Sequence, residues 1–173
     1  GAADAKPHYV DPSTELMTFD FDFLNWLLGP PVSLAAAATA SEQGMPGEIS
    51  VLLRYADGAS AAVTGSGIMP QSFTYTVGFR AVLEGGAFDF TSIFDGSVPS
   101  DTLLFYPTAG ELGLVRIAKH NPYERELRHC VECIAAGQAS SLLAAENALA
   151  ALRLSLATQQ SLRDGNTVRF DRA

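Results

Sequence analysis

Lys119, His120, Tyr123 and Arg125 bring an amine, an imidazole, a phenol and a guanidinium to one short stretch of the chain. They straddle the expected junction between a strand and a helix that opens at Asn121-Pro122. Such a junction can present cationic side chains and helix N–H groups to an oxygen-rich ligand. The plainer reading is a solvated helix start. A second stretch where substrate contacts are expected is the loop from Gly67 to Gln71, with Gln71 as its hydrogen-bonding residue. Glu15 is a further substrate-binding candidate and could titrate, but a glutamate in the first turn of a helix also suits the positive end of the helix dipole. Asp20 and Asp22 read as polar-face residues.

Other motifs point away from chemistry. Cys130 and Cys133 form a CxxC, a spacing used for redox work or for half a zinc site. Both fall inside a helical pattern rather than at a helix start, where a thiol would be activated. No second cysteine pair completes a zinc site, so they read as packed, reduced core thiols. The single GxG, Gly65-Ser66-Gly67, lacks the third glycine of a dinucleotide fingerprint and opens into a proline-containing loop. His8 lies in the lead and His129 on the exposed side of a helix. Three scattered histidines do not make a metal site.

The elements that must position these residues follow from periodicity. A first helix is predicted from Asp11-Pro12, with Asp as N-cap and Pro at the first position. Its apolar stripe reads Leu16, Phe19, Phe23, Trp26 and Leu27, and Gly29-Pro30-Pro31 ends it. Strands are expected at 32–40, 48–55 and 59–64, with Asp57-Gly58 as a hairpin turn. The strand after the 65–71 loop faces Phe73, Tyr75, Val77, Phe79, Ala81 and Leu83 one way. It faces Ser72, Thr74, Thr76, Arg80 and Glu84 the other. Gly85-Gly86 turns into a strand at 87–93, and shorter strands are expected at 102–106 and 112–118. Asn121, Pro122 and Glu124 start a second helix with Leu127, Cys130, Val131 and Ile134 as its buried stripe. A third runs over 141–163 with Leu149, Leu152, Leu156 and Leu162 inward, and 167–170 adds an edge strand. Consecutive hairpins and segregated helices predict an α+β fold: an open, mostly antiparallel sheet with helices packed on one face. Residues 1–12 read as a disordered lead or an added start, and Gly1 in place of Met suggests processing or engineering.

The chain has 173 residues, enough for one domain with its own core, and 47% of them are apolar. A net charge of −8 excludes a basic surface for nucleic acid. The apolar run at 32–40 is too short to span a bilayer, and the first residues lack a signal-peptide core. A soluble cytoplasmic protein is expected.

The segment TELMTFDFDFLNWLLGPPV resembles the helix that begins the second domain of the glucose–fructose oxidoreductase / inositol dehydrogenase / MocA (Gfo/Idh/MocA) family. The matching residues are Asp20, Asp22, Trp26, Leu27, Leu28 and Gly29. NPYERELRHC and ALRLSLATQQSL follow in the family's order, so the resemblance covers about Thr14 to Phe170. It implies a C-terminal substrate-binding and oligomerisation domain over 13–173. A separate N-terminal Rossmann domain, absent here, would bind NAD or NADP. No cofactor site is expected in this chain itself, and the family's Glu-Lys-Pro motif is also missing. The family's aspartate position falls on Glu15 and its proton-transfer histidine on Phe19. A phenyl ring moves no proton, so no catalytic residue is expected in this chain.

The leading expectation is therefore the C-terminal half of an NAD(P)-dependent oxidoreductase acting on a sugar, polyol or related carbonyl compound. Alternatives are a non-catalytic ligand sensor or scaffold of the same fold, and a stand-alone dimeric ligand-binding domain. Expected partners are the Rossmann domain, a small-molecule substrate and a second copy, through the sheet face carrying Thr74, Thr76 and Arg80. Neither nucleic acid nor membrane is expected.

Overall fold

The computed structural model describes residues 11–41, 44–95, 99–118 and 121–171. His8, Lys119, His120 and the predicted lead up to residue 10 lie outside them. The described residues fall into two compact units, one from Gly1–Met69 with Cys130–Ala173, the other from Pro70–His129. The α+β class is as predicted, but the strands form two antiparallel four-stranded sheets, one in each unit.

The first unit opens with a single-turn helix α1 (Pro12–Glu15) and continues, after Leu16, into α2 (Met17–Leu28). Asp11 caps α1, as the Asp-Pro pair predicts. Gly29 ends α2 with a φ of +74°. Strands β1 (Ser33–Ala40), β2 (Pro46–Arg54) and β3 (Ser60–Ser66) form a meander. The β2–β3 turn falls at Asp57-Gly58, where Gly58 takes φ +93° and Asp57 Oδ1 accepts from the Ala59 N–H at 3.0 Å. The long helix α4 (Ala145–Asp164) and the short strand β8 (Val168–Arg169) complete the unit. Sheet order is β3-β2-β1-β8, and α1, α2 and α4 pack on its strands.

Strict alternation sends Ile49, Val51 and Leu53 of β2 inward and leaves Leu52 outside. Met17, Phe21, Leu34, Leu154 and Ala157 close over them as one core. This corrects the predicted stripe of the first helix. Phe21 is fully buried, whereas Phe19 is 77% and Trp26 70% exposed. At about 3.6 residues per turn, Met17, Phe21 and Leu24 line one side of α2 and Phe19, Phe23 and Trp26 the other. Both stripes satisfy helical periodicity, and the sheet takes the first.

Three of the four leucines predicted inward on α4 are also corrected, while Leu162 packs against the core as predicted. Leu149, Leu152 and Leu156 are exposed, and the buried face carries Ala151, Leu154, Ser155, Ala157, Thr158 and Ser161. The reason lies in β1, whose residues 35–38 are all alanine. Small side chains on both surfaces let the helix approach until side-chain hydroxyls reach backbone. Ser161 Oγ accepts from the Ala36 N–H at 2.9 Å and donates to the Asn166 carbonyl at 2.7 Å. Thr158 Oγ1 donates to Leu154 O within the helix, and Ser155 Oγ meets Thr18 Oγ1 at 2.9 Å.

The second unit holds β4 (Tyr75–Leu83), β5 (Gly86–Phe94), β6 (Ser100–Pro107) and β7 (Gly113–Leu114), paired in that order. Gly86 makes the β4–β5 turn at φ +148°, and a Cβ there would lie 2.3 Å from Tyr106 O. One sheet face pairs Tyr75 with Phe94, Phe79 with Phe90, and Phe88 with Phe105. The other carries Thr76 opposite Ile93 and Arg80 opposite Asp89, and the latter two are joined by an ion pair.

Helix α3 spans Pro122–Ala136. Asn121 caps it as predicted: its Oδ1 accepts from the N–H groups of Tyr123 at 3.0 Å and Glu124 at 3.3 Å. The predicted burial of its stripe is corrected, because α3 has no buried residue and Leu127, Val131 and Ile134 are exposed. Cys130 is exposed and Cys133 half-buried, so they are not core thiols. Among the described residues no helix is long and apolar enough to cross a membrane.

Candidate functional site

Four of the positions singled out by sequence, Glu15, Phe19, Asp20 and Asp22, lie on the first two helices. Asp11 Oδ1 accepts from the Ser13 N–H at 2.9 Å and from the Ser13 hydroxyl at 2.6 Å. Gln159 Nε2 of α4 donates to the other oxygen, Oδ2, at 2.5 Å. Glu15 answers from within α1: its Oε1 accepts from the Asp11 N–H at 3.1 Å. Asp11 and Glu15 thus satisfy each other's end of the helix start, a reciprocal cap that ties α1 to α4. This engages the Glu15 carboxylate in structure. Phe19, one turn on, presents only a ring to solvent.

The titratable group that stands out near them is Asp20. Burial pushes its carboxyl up from 3.8 to about 6. It sits in the first turn of α2, where the helix dipole favours the charged form. Desolvation outweighs that pull. A carboxyl poised near neutrality can hold or release a proton at physiological pH.

The remaining candidates belong to the second unit. Gln71 is exposed in the turn before β4. Tyr123 and Arg125 are exposed in the first turn of α3, with their backbone N–H groups held by Asn121 Oδ1 and Asn121 O. Among the described residues no cluster of His, Cys, Asp and Glu could hold a metal ion.

Sequence reasoning missed a groove in the first unit. Phe19, Asp22, Phe23, Asn25 and Trp26 of α2 face Ser141, Leu142, Asn147 and Ala150 across a space of ≈ 590 Å³. Phe23 and Trp26 meet with ring centroids 6.0 Å apart. The far wall is fixed by Asn147, whose Nδ2 donates to Ser141 O at 2.9 Å and Leu142 O at 3.2 Å. Its two walls lie more than a hundred positions apart in the chain, so no spacing rule could join them.

Residues 11–88 match the model of the GFO/IDH/MocA C-terminal domain. The match spans under half of the chain's 173 residues. No curated protein matches it by sequence. An aldose–aldose oxidoreductase of Caulobacter crescentus shares the fold at a TM-score of 0.72 and 18% identity, covering 88% of this chain and 45% of that one. A candidate NADPH-dependent oxidoreductase of Desulfitobacterium hafniense gives 0.80 at 20% identity, covering 91% and 47%. A UDP-N-acetylglucosamine 3-dehydrogenase of Acidithiobacillus ferrooxidans gives 0.69 at 18%, covering 92% and 50%. Identities this low establish a shared fold alone, and the chain spans about half the length of each of these structures. The glycines tested as a dinucleotide cradle do not fit one. Gly65 closes onto the Met17 side chain, and the Gly67 N–H donates to Gly47 O at 2.8 Å instead of being left for a phosphate oxygen.

Proposed function

We propose that this chain is the C-terminal half of an NAD(P)-dependent oxidoreductase acting on a sugar, a polyol or a related carbonyl compound. The observation that carries the reading is the family match over residues 11–88, joined to a fold shared with about half of each larger oxidoreductase structure. In this reading the domain extends over residues 13–173 and supplies part of the substrate pocket and a subunit interface. The nicotinamide belongs to an N-terminal dinucleotide-binding domain, and no step is assigned to it here. Glu15, Gln71, Lys119, His120, Tyr123 and Arg125 are the proposed substrate contacts, Glu15 being also engaged in the helix cap. The subunit interface is the second-unit face with Thr74, Thr76 and Arg80. Light scattering should give a dimer that Thr76→Glu weakens without unfolding; a monomer in the unsubstituted protein at micromolar concentration would remove this part. The enzyme would work in the cytoplasm.

The full coding sequence tests the reading. Upstream of residue 1 it should encode a strand, a glycine-rich turn, a helix and a Glu-Lys-Pro-like segment. The full protein should reduce NAD or NADP with an aldose or polyol. A reading frame that begins at residue 1 would overturn the proposal. Phe19 favours one second reading, a ligand sensor of the same fold. That reading gains if the full protein binds cofactor and ligand but shows no turnover.

A further inference from the structure

We infer that Cys130 and Cys133 of α3 form a two-thiolate site for a soft monovalent cation of the copper(I) class. They are the chain's only cysteines and lie three positions apart in one continuous helix. Residues at that spacing share a helix face, with Cβ atoms about 5–6 Å from each other. A disulfide needs its Cβ atoms at about 3.5–4.5 Å, so the helix holds the thiols too far apart to close one without bending. A single metal ion bridges them without distortion. Thiolate–metal bonds of about 2.3 Å place two sulfurs on opposite sides of an ion roughly 4.6 Å apart, within reach of that backbone.

The surroundings choose the ion. Among the described residues no group of three or more His, Cys, Asp and Glu side chains could join in holding a metal. Zinc, which takes three or four protein ligands, is therefore poorly served. A soft ion content with two sulfurs is not. The side chains along the same stripe are apolar: Leu127 one turn before Cys130, Ile134 one turn after it, and Val131 between, all largely exposed. They offer no oxygen to a hard cation. Cys130 is exposed and Cys133 half-buried, and α3 has no buried residue, so an ion reaches the pair without unfolding of the helix.

This inference does not rest on the oxidoreductase reading. It needs neither nicotinamide nor substrate, and its failure would leave that reading untouched.

The test titrates the reduced chain, in oxygen-free buffer, into the coloured copper(I)–bicinchoninate complex. The chain should withdraw one copper(I) per molecule and bleach the colour in proportion, less readily as pH falls, because the ligands bind as thiolates. Cys130→Ser and Cys133→Ser should each withdraw none, with unchanged far-ultraviolet dichroism spectra. If a serine variant does not fold, Cys133→Ser combined with Glu132→Cys takes its place. It keeps two thiols but turns one to another face of the helix, and it should withdraw none. An equimolar amount of zinc sulfate should leave the bleaching unchanged. Failure of the unsubstituted chain to withdraw copper overturns the inference. So does full withdrawal by a folded variant, displacement of the copper by zinc, or half an equivalent per chain with a dimer in light scattering.

Discussion

Replacing Asp20 by Asn should stabilise the protein near neutral pH and leave it unchanged in acid. The carboxyl ionises at about 6 in the folded chain and at 3.8 when fully hydrated. Near pH 7 the folded state holds a partly buried carboxylate that the unfolded state would hydrate, so the charge costs stability. A rise of roughly two pH units corresponds to roughly 3 kcal/mol at full burial, and partial exposure to solvent reduces this to about 1–2 kcal/mol. Between the two ionisation points the folded state binds more protons than the unfolded state. Stability therefore rises as pH falls through about 6, and the penalty is gone below about 4. Asn keeps the shape and removes the charge. Urea unfolding at pH about 7.5 should show Asp20→Asn more stable by about 1–2 kcal/mol, equivalent to a rise of a few degrees in Tm. At pH about 4 the two proteins should coincide. Every other carboxylate titrates in both, so the difference isolates Asp20. Equal stability at both pH values would refute the argument. A less stable Asn variant at neutral pH would do so too, since it would mean the charged form has a favourable partner.

Three further substitutions test the packing. Phe21→Ala should cost about 3–5 kcal/mol in urea unfolding, while Phe19→Ala should stay within about 0.5 kcal/mol; the reverse order would mean that α2 presents its other stripe to the core. A Cβ on Gly65 would lie 2.8 Å from Met17 Cγ, so Gly65→Ala should destabilise by about 1–2 kcal/mol. Adding Met17→Ala should then cost clearly less than the sum of the two changes, and strict additivity in thermal unfolding would disprove the contact. Asp11→Ala removes both the cap of α1 and the Gln159 bond, and should lower stability by about 1–2 kcal/mol, with Asp11→Asn recovering most of it.

What could be read in the sequence was local, and what could not was a choice between equivalent surfaces. The turns at Asp57-Gly58 and Gly85-Gly86, the Asp11 and Asn121 caps and the alternation along β2 depend on residues a few positions apart. Each appears where its residues predict. The faces of α2 and α4 depend on what lies across from them. Helix α2 has an apolar stripe on either side, and periodicity cannot rank two stripes of equal quality. For α4 the leucines misled, because hydrophobicity predicts burial only where there is room for it. The alanines of β1 left no such room, and small hydroxyl residues took the inner face with their hydrogen bonds satisfied by backbone or, for Ser155, by the Thr18 hydroxyl. The same logic governs the candidate site. The capping role of Glu15 was legible as an acid in the first helical turn after Asp11. The groove was not, because Asn25 and Asn147 become neighbours only after α4 has docked through Ser155, Thr158 and Ser161. Once the small-residue face of α4 is placed on β1, the outer stripe of α2 must face outward, and Trp26 with it. The exposed aromatic surface of the groove is thus a consequence of how the core was filled, and the unsatisfied Asn25 amide is the feature that core packing does not account for.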